Sequence, residues 1–366
     1  MAQGSIRLLM TVDAVGGVWQ YATELAGALR PLGFETVLAV LGPPPAPAQR
    51  TAVKRMHGIK LVDTGLPLDW LSEAASTRAA AAELAALARR EKVDIIHLNS
   101  PALAGAQAWP VPVVGVAHGC LTTWWEAARA GQPLDSSFAW HREMMGQGLR
   151  TCDRIVAPSA AFAEALRRVF ALPAAPQVVH NGRALPARVR AVAGTNRALT
   201  AGRLWDEVKN LRTLDAAAAR MQFPFEAAGE VTAPHGERVG ATHLQLLGQL
   251  DGAALASRLE QRPVFVSAAT FEPFGLSILE AAGARCPLVL SNIPTFRELW
   301  NGAAVFVEPN DADGFARAIE DILRSPERRD ALGAAAHAHA LQYTPDRMAS
   351  GMATHYRDLL AARMAA

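Results

Sequence analysis

Short, nearly continuous apolar runs recur along this chain, and longer stretches with apolar positions at three- and four-residue spacing separate them. Continuous runs mark strands buried on both faces, and the longer spacing marks amphipathic helices. Their alternation predicts parallel strands joined by crossover helices. In the first half the runs predict strands at Ile6–Val12, Thr36–Val40, Ile95–Leu98, Val113–Ala117, Arg154–Ala157 and Val178–Val179, with an Ala-rich helix over Ser76–Arg90. The Pro-rich stretch Pro43–Ala48 reads as a surface loop.

After His180-Asn181-Gly182 the pattern lapses into the turn-rich stretch ALPARVRAVAGTNR, and a fresh strand begins at Ala198. Further strands follow at Phe225–Ala228, Leu244–Leu247, Val264–Ser267, Leu288–Leu290 and Val305–Val307. From Asp311 the chain reads as helix, in three segments broken at Pro326 and Pro345. This predicts two successive Rossmann-like α/β domains, residues 1–185 and 186–344. Open parallel sheets bind ligands at the carboxyl ends of their strands.

Composition narrows the partners. Of the 366 residues, 51% are apolar and 19% charged, enough to bury two cores. The formal net charge is only +2, which offers no general field for nucleic acid, so an anion site must be built locally. Cys120, Cys152 and Cys286 form no CxxC pair, which fits a reducing, cytoplasmic setting. No segment approaches the ~20 apolar residues of a membrane span, so membrane contact is expected to be peripheral at most, at the inner face.

Two stretches carry chemistry. In SAATFEPFGLSILEAAG, a strand ends near Ser267 and a helix starts near Gly275, placing Glu272 on the connection and Glu280 one and a half turns into the helix. Backbone N–H groups at Phe274, Gly275, Leu276 and Ser277, backed by the helix dipole, would form an anion site, and Glu280 could accept both hydrogen bonds of a ribose diol. In LTAGRLWDEVKN, Arg203 and Lys209 follow a strand end, where two cations could neutralise a diphosphate.

The acid pair within FEPFGLSILEAAG, together with GRL at Gly202–Leu204 and Lys209-Asn210, resembles retaining glycosyltransferases of family 4. Val15-Gly16-Gly17 and the following helix, VVHNGR at Val178–Arg183, and LVLSNIPTFREL extend the resemblance over nearly the whole chain. It implies the GT-B fold, two facing Rossmann-like domains with an active-site cleft between them, and a last helix (residues 345–366) packing back on the first domain. It further implies that Arg203 and Lys209 hold the donor diphosphate, Glu280 the ribose, and Glu272 the transferred sugar's hydroxyls. Gly16 and Gly17 would close over phosphate and sugar, and His118 in VVGVAHGC would contact the sugar. Two departures stand out: Arg203 and Lys209 are one residue further apart than is usual, and Gly119 replaces an acid after His118.

The expected partners are therefore a nucleotide-sugar donor and a saccharide, glycolipid or lipid-linked acceptor, with no nucleic acid. No metal and no cofactor beyond the donor co-substrate are expected. Trp124 and Trp125, in the long segment after His118, are candidates to bind the acceptor. They lie on different faces of any helix or strand, so at most one can belong to the core. The alternatives are a nucleotide-sugar epimerase and a non-catalytic nucleotide-sugar-binding protein. Asp311-Ala312-Asp313 has the spelling of a metal-binding DxD, but its position opening a helix marks Asp311 as an N-cap and Asp313 as a first-turn acid. His337 and His339, two apart on a helix, face differently and make poor metal ligands. Neither oligomeric state nor the identity of sugar and base is encoded in these motifs.

Overall fold

A computed structural model describes residues 5–185, 194–233 and 236–365. It divides into two compact units, residues 1–182 with 345–366, and residues 183–344. Most of the turn-rich stretch after Gly182, residues 186–193, lies outside the described residues.

The first unit holds seven strands: β1 (Ile6–Asp13), β2 (Phe34–Leu41), β3 (Ile59–Leu66), β4 (Ile95–Leu98), β5 (Val113–Val116), β6 (Arg154–Ala157) and β7 (Gln177–Val178). They lie in the order β3-β2-β1-β4-β5-β6-β7, every pairing parallel. Period-two alternation divides the strands between two cores. Leu8, Met10, Val12, Ile95 and Val114 enter one, and Leu9, Ile96, Leu98 and Val113 the other. Helices cover both faces, which is why these strands read as unbroken apolar runs.

Strand β3 and the helix Pro47–Lys54 are absent from the sequence-based expectation. Strand β3 is a sheet edge with half-exposed residues, so IKLVDTGL lacks the continuous apolar signature of its neighbours. The Pro-rich loop is shorter than expected: Pro47 opens the helix, because a proline at the first helical position forfeits no intrahelical hydrogen bond.

The helix Pro345–Ala365 belongs to the first unit. Met348, Ala349, Met352, Ala353 and Tyr356 recur along one face and are buried with Tyr21, Leu25 and Leu29 of the helix Gly17–Leu29. Tyr356 packs its ring on Phe34 at 5.6 Å between centroids.

The second unit holds β8 (Ala198–Ala201), β9 (Phe225–Ala228), β10 (Gln245–Gly248), β11 (Val264–Ser267), β12 (Leu288–Ser291) and β13 (Val305–Val307). Their order is β10-β9-β8-β11-β12-β13, again all parallel. Leu199, Phe265, Leu288 and Leu290 enter one core, while Ala198, Val264, Val266 and Val289 enter the other. Three helices, Ala312–Leu323, Pro326–Ala340 and Pro345–Ala365, follow β13, broken where the prolines predict.

In each sheet the strand order reverses once, between β1 and β4 and between β8 and β11. At such a reversal the two crossover connections leave in opposite directions. The loops at the strands' carboxyl ends then part and open a crevice. Among the described residues, no helix is long and apolar enough to cross a membrane.

Candidate functional site

Both chemistry-bearing stretches of the second unit lie at its reversal. Gly202, Arg203 and Lys209 follow β8, and Glu272 and Gly275 follow β11. One backbone hydrogen bond ties the two loops, Thr270 N–H donating to the Val208 carbonyl at 2.9 Å.

Lys209 and Glu272 meet directly, Nζ to carboxylate at 2.5 Å, with both side chains about four-fifths buried. A short helical turn, Glu207–Lys209, presents Lys209, and Asp206 caps that turn by accepting from Val208 N–H. The next residue, Asn210, sits in the left-handed region at φ 56°, where asparagine is tolerated better than most residues. Its side-chain amide donates to the carbonyls of Ala268 (3.2 Å) and Pro309 (2.7 Å), and its oxygen accepts from Thr213 (2.8 Å). Asn210 therefore pins the lysine turn to the ends of β11 and β13. This pinning is invisible in the spelling Lys-Asn, because its partners lie far away in the chain.

Arg203 is more exposed. It pairs with the buried Asp206 at 3.2 Å and lies over the Trp205 indole, leaving much of the guanidinium in solvent.

The helix Leu276–Gly283 starts from Gly275 at φ 93°, a left-handed conformation that disfavours any side chain. Its first N–H groups, from Leu276 and Ser277, have no carbonyl within the helix to receive them. Phe274 serves the turn differently. Its ring is buried edge-on against Tyr343, with centroids 5.6 Å apart, so the side chain anchors the turn in the core. Glu280 pairs with Arg183, Nε to carboxylate at 2.7 Å. Arg183 was not singled out from the sequence, where it appears only as the last letter of VVHNGR.

In the first unit Gly16 caps the helix Gly17–Leu29 from an exposed loop after β1. Its backbone is extended, at φ 177°, and a Cβ there would meet nothing within 4 Å. The fold itself therefore does not demand glycine at 16.

His118 follows β5 and is half-buried. It packs edge-on against Tyr21 at 4.3 Å and hydrogen-bonds through Nε2 to Asn99 Oδ1 at 2.8 Å. Burial pushes its pKa down to about 3, with neighbouring His97 adding to the shift, so the ring is neutral. His97, fully buried, is likewise pushed down to about 4 by burial.

Trp124 and Trp125 lie on the helix Leu121–Ala128 with their rings 6.5 Å apart. Both are half-buried, so neither is a core residue. Trp125 also donates its indole N–H to the Gln132 carbonyl at 3.3 Å.

The residues set aside in the sequence have structural duties. Asp311 caps its helix by accepting from Gly314 N–H at 2.8 Å, and Asp313 pairs with Arg220 at 2.5 Å. His337 bonds the Gly283 carbonyl through Nδ1, while His339 packs against Trp300 and Tyr343.

Two Rossmann-like units of all-parallel strands, the second with cations and a helix start at its strand reversal, define a protein of the GT-B class. Known structures agree. Sucrose-phosphate synthase from Thermosynechococcus elongatus superposes with a TM-score of 0.79 at 19% identity, over 98% of this chain and 100% of that one. Anabaena HepE in complex with UDP-glucose gives 0.70 at 16% identity, over 97% and 100%. The models named Glycosyltransferase Family 4 and Glycosyl transferases group 1 match residues 15–185 and 236–339. Each unit thus matches a glycosyltransferase family model, which marks the chain as a family 4-type glycosyltransferase. A curated relative, glycogen synthase of Mycobacterium tuberculosis, is 29% identical over 266 residues, spanning 65% of this chain and 62% of the relative's length.

Proposed function

We propose that this protein is a retaining glycosyltransferase that moves a sugar from a nucleoside-diphosphate sugar to a hydroxyl of a saccharide, glycolipid or lipid-linked acceptor. One observation carries the reading: Lys209, Arg203 and the start of the helix Leu276–Gly283 come together at the strand reversal of the second unit. A diphosphate bound there would meet two fixed cations and the positive end of a helix dipole.

In the unliganded protein Glu272 already holds Lys209. A diphosphate would compete for that lysine, freeing the carboxylate to accept from the sugar's hydroxyls. Glu280 accepts from the ribose, with Arg183 orienting its carboxylate from the other side. Gly16 and Gly17 would close over phosphate and sugar, a role that accounts for a glycine at 16 that the fold does not need. The half-buried faces of Trp124 and Trp125 offer apolar surface to an acceptor ring or lipid chain.

In the transfer step the acceptor oxygen bonds the anomeric carbon as the bond to the diphosphate oxygen breaks. The acceptor proton passes to the departing phosphate, and attack from the same face retains configuration. Negative charge grows on the leaving group, where Arg203, Lys209 and the helix start stabilise it without reorganising. Three unpaired cysteines support a reducing, cytoplasmic location.

The test is a thermal-shift panel of nucleoside diphosphates and their sugars with and without EDTA. One base should raise Tm strongly, since a native-state ligand at a hundredfold its Kd adds about 2.7 kcal/mol. Transfer of its sugar should persist in EDTA. A flat panel overturns the reading, and loss of transfer that a divalent metal restores overturns the charge assignment.

The two acids should separate kinetically. Glu280→Ala is expected to raise the donor KM with little change in kcat, because a ribose contact holds ground and transition states alike. Glu272→Ala is expected to lower kcat, since it acts at the reacting sugar. Interchanged signatures would refute this division of roles.

A further inference from the structure

A hydrogen-bond chain in the first unit runs from the C-terminal helix to His118, and its polarity can be worked out atom by atom. The Asn99 amide nitrogen donates to the Thr11 carbonyl at 2.5 Å, and Asn99 N–H donates to Thr11 Oγ1 at 2.9 Å. A carbonyl can only accept, so the amide nitrogen must face Thr11 and Oδ1 must face the other way. Oδ1 lies 2.9 Å from His97 Nε2 and 2.8 Å from His118 Nε2. It too can only accept, so both imidazoles carry a proton on Nε2. A neutral imidazole with its proton on Nε2 has a lone pair on Nδ1. At His97 that lone pair accepts from the Tyr356 hydroxyl, 2.6 Å away. At His118 Nδ1 engages no described residue and is not a buried atom.

We infer that Asn99 is a positioning residue that fixes His118 in its Nε2–H tautomer, so that a bare Nδ1 is presented to accept a hydrogen bond from a hydroxyl of the transferred sugar. Tyr356 and His97 complete the device from behind. The tyrosine donates into His97 Nδ1, so the His97 proton stays on Nε2 and Asn99 Oδ1 receives donors from both rings. With Nδ1–H instead, His118 would point a donor at the ligand and a lone pair at a lone pair of Asn99. Tyr356 thus gives the C-terminal helix a part in the site that lies beyond packing. The assignment rests on His118 as a sugar contact, but its core, the tautomer, is measurable without any substrate.

The experiment is long-range proton–nitrogen correlation NMR on ¹⁵N-histidine-labelled protein, with His118→Gln to assign the ring. Free wild-type protein is expected to show His118 as a single Nε2–H tautomer. Asn99→Ala is expected to redistribute it between both tautomers, to lower kcat/KM about tenfold, and to leave nucleoside-diphosphate affinity within about twofold. An Nδ1–H or averaged ring in the wild type overturns the assignment whether or not the variant folds. So does a His118 that keeps its single tautomer in Asn99→Ala. Redistributed tautomers with unchanged kcat/KM would show that Nδ1 is not used. Failure of the glycosyltransferase reading would appear elsewhere, as a protein that binds no nucleotide sugar while its His118 tautomer stays single.

Discussion

Lys209→Ala and Arg203→Ala are each expected to lower kcat/KM by at least ~10²-fold, with the lysine variant the more severe. In the proposed reading both side chains face the place where leaving-group charge develops, and that charge is largest in the transition state, so the loss should fall on kcat as well as on donor binding. Lys209 should matter more for two reasons. Its ammonium is largely buried whereas Arg203 stays mostly in solvent, and a charge is worth more where water cannot screen it. Its removal also leaves Glu272 without its 2.5 Å partner, so an unpaired carboxylate would face the incoming diphosphate. Arg203→Ala should leave Tm nearly unchanged, because the group it abandons, Asp206, still caps the Glu207–Lys209 turn. The measurement is steady-state transfer with the donor found in the thermal-shift panel. A change under about threefold in both variants would remove the diphosphate assignment.

Gly229→Ala should be among the most destabilising single substitutions in the second unit. Gly229 follows β9 beside the Gly202 loop, its N–H donating to the Gly248 carbonyl at 2.8 Å. Its φ of 140° is a conformation that costs a side chain, and a Cβ there would lie 1.8 Å from the Gly202 carbonyl oxygen and 3.3 Å from Leu204 Cγ. The obstacle is backbone, not a flexible side chain, so the strand end and the Gly202 loop must part. Strain at such a φ and overpacking together predict a loss of about 3 kcal/mol or more. Nucleotide affinity should fall with it, because Gly202 and Arg203 are displaced together. Gly240→Ala is the control: its Cβ would meet nothing within 4 Å and should leave stability within about 0.5 kcal/mol. Equal denaturant midpoints for the two variants would refute this account.

The central strands were legible in the sequence because each is buried on both faces and carries a dense apolar run. Edge strand β3 was not, since IKLVDTGL covers one face only and its exposed residues dilute the signal. The positions of the candidate site residues divide in the same way. Arg203, Lys209, Glu272, Gly275 and Glu280 were legible because each stands at a fixed offset from a strand end or helix start, and local geometry follows from local sequence. The partners of those residues were not. Asn210 pins its loop through carbonyls on two other segments, Arg183 reaches Glu280 across almost a hundred positions, and Gly229 is a glycine because of the Gly202 carbonyl beside it.

By itself, then, the sequence determined the α/β alternation, the helix breaks at Pro326 and Pro345, and the positions where charge meets a strand end. These are consequences of side-chain periodicity and of proline's missing N–H, and they act over a few residues. The tertiary structure alone decided the strand order, which places the β8 and β11 loops side by side. It alone paired Lys209 with Glu272, and it joined Tyr356 through His97 and Asn99 to His118. Hydrogen bonds and ion pairs are short-ranged in space but indifferent to separation along the chain, so only the folded arrangement can assign their partners.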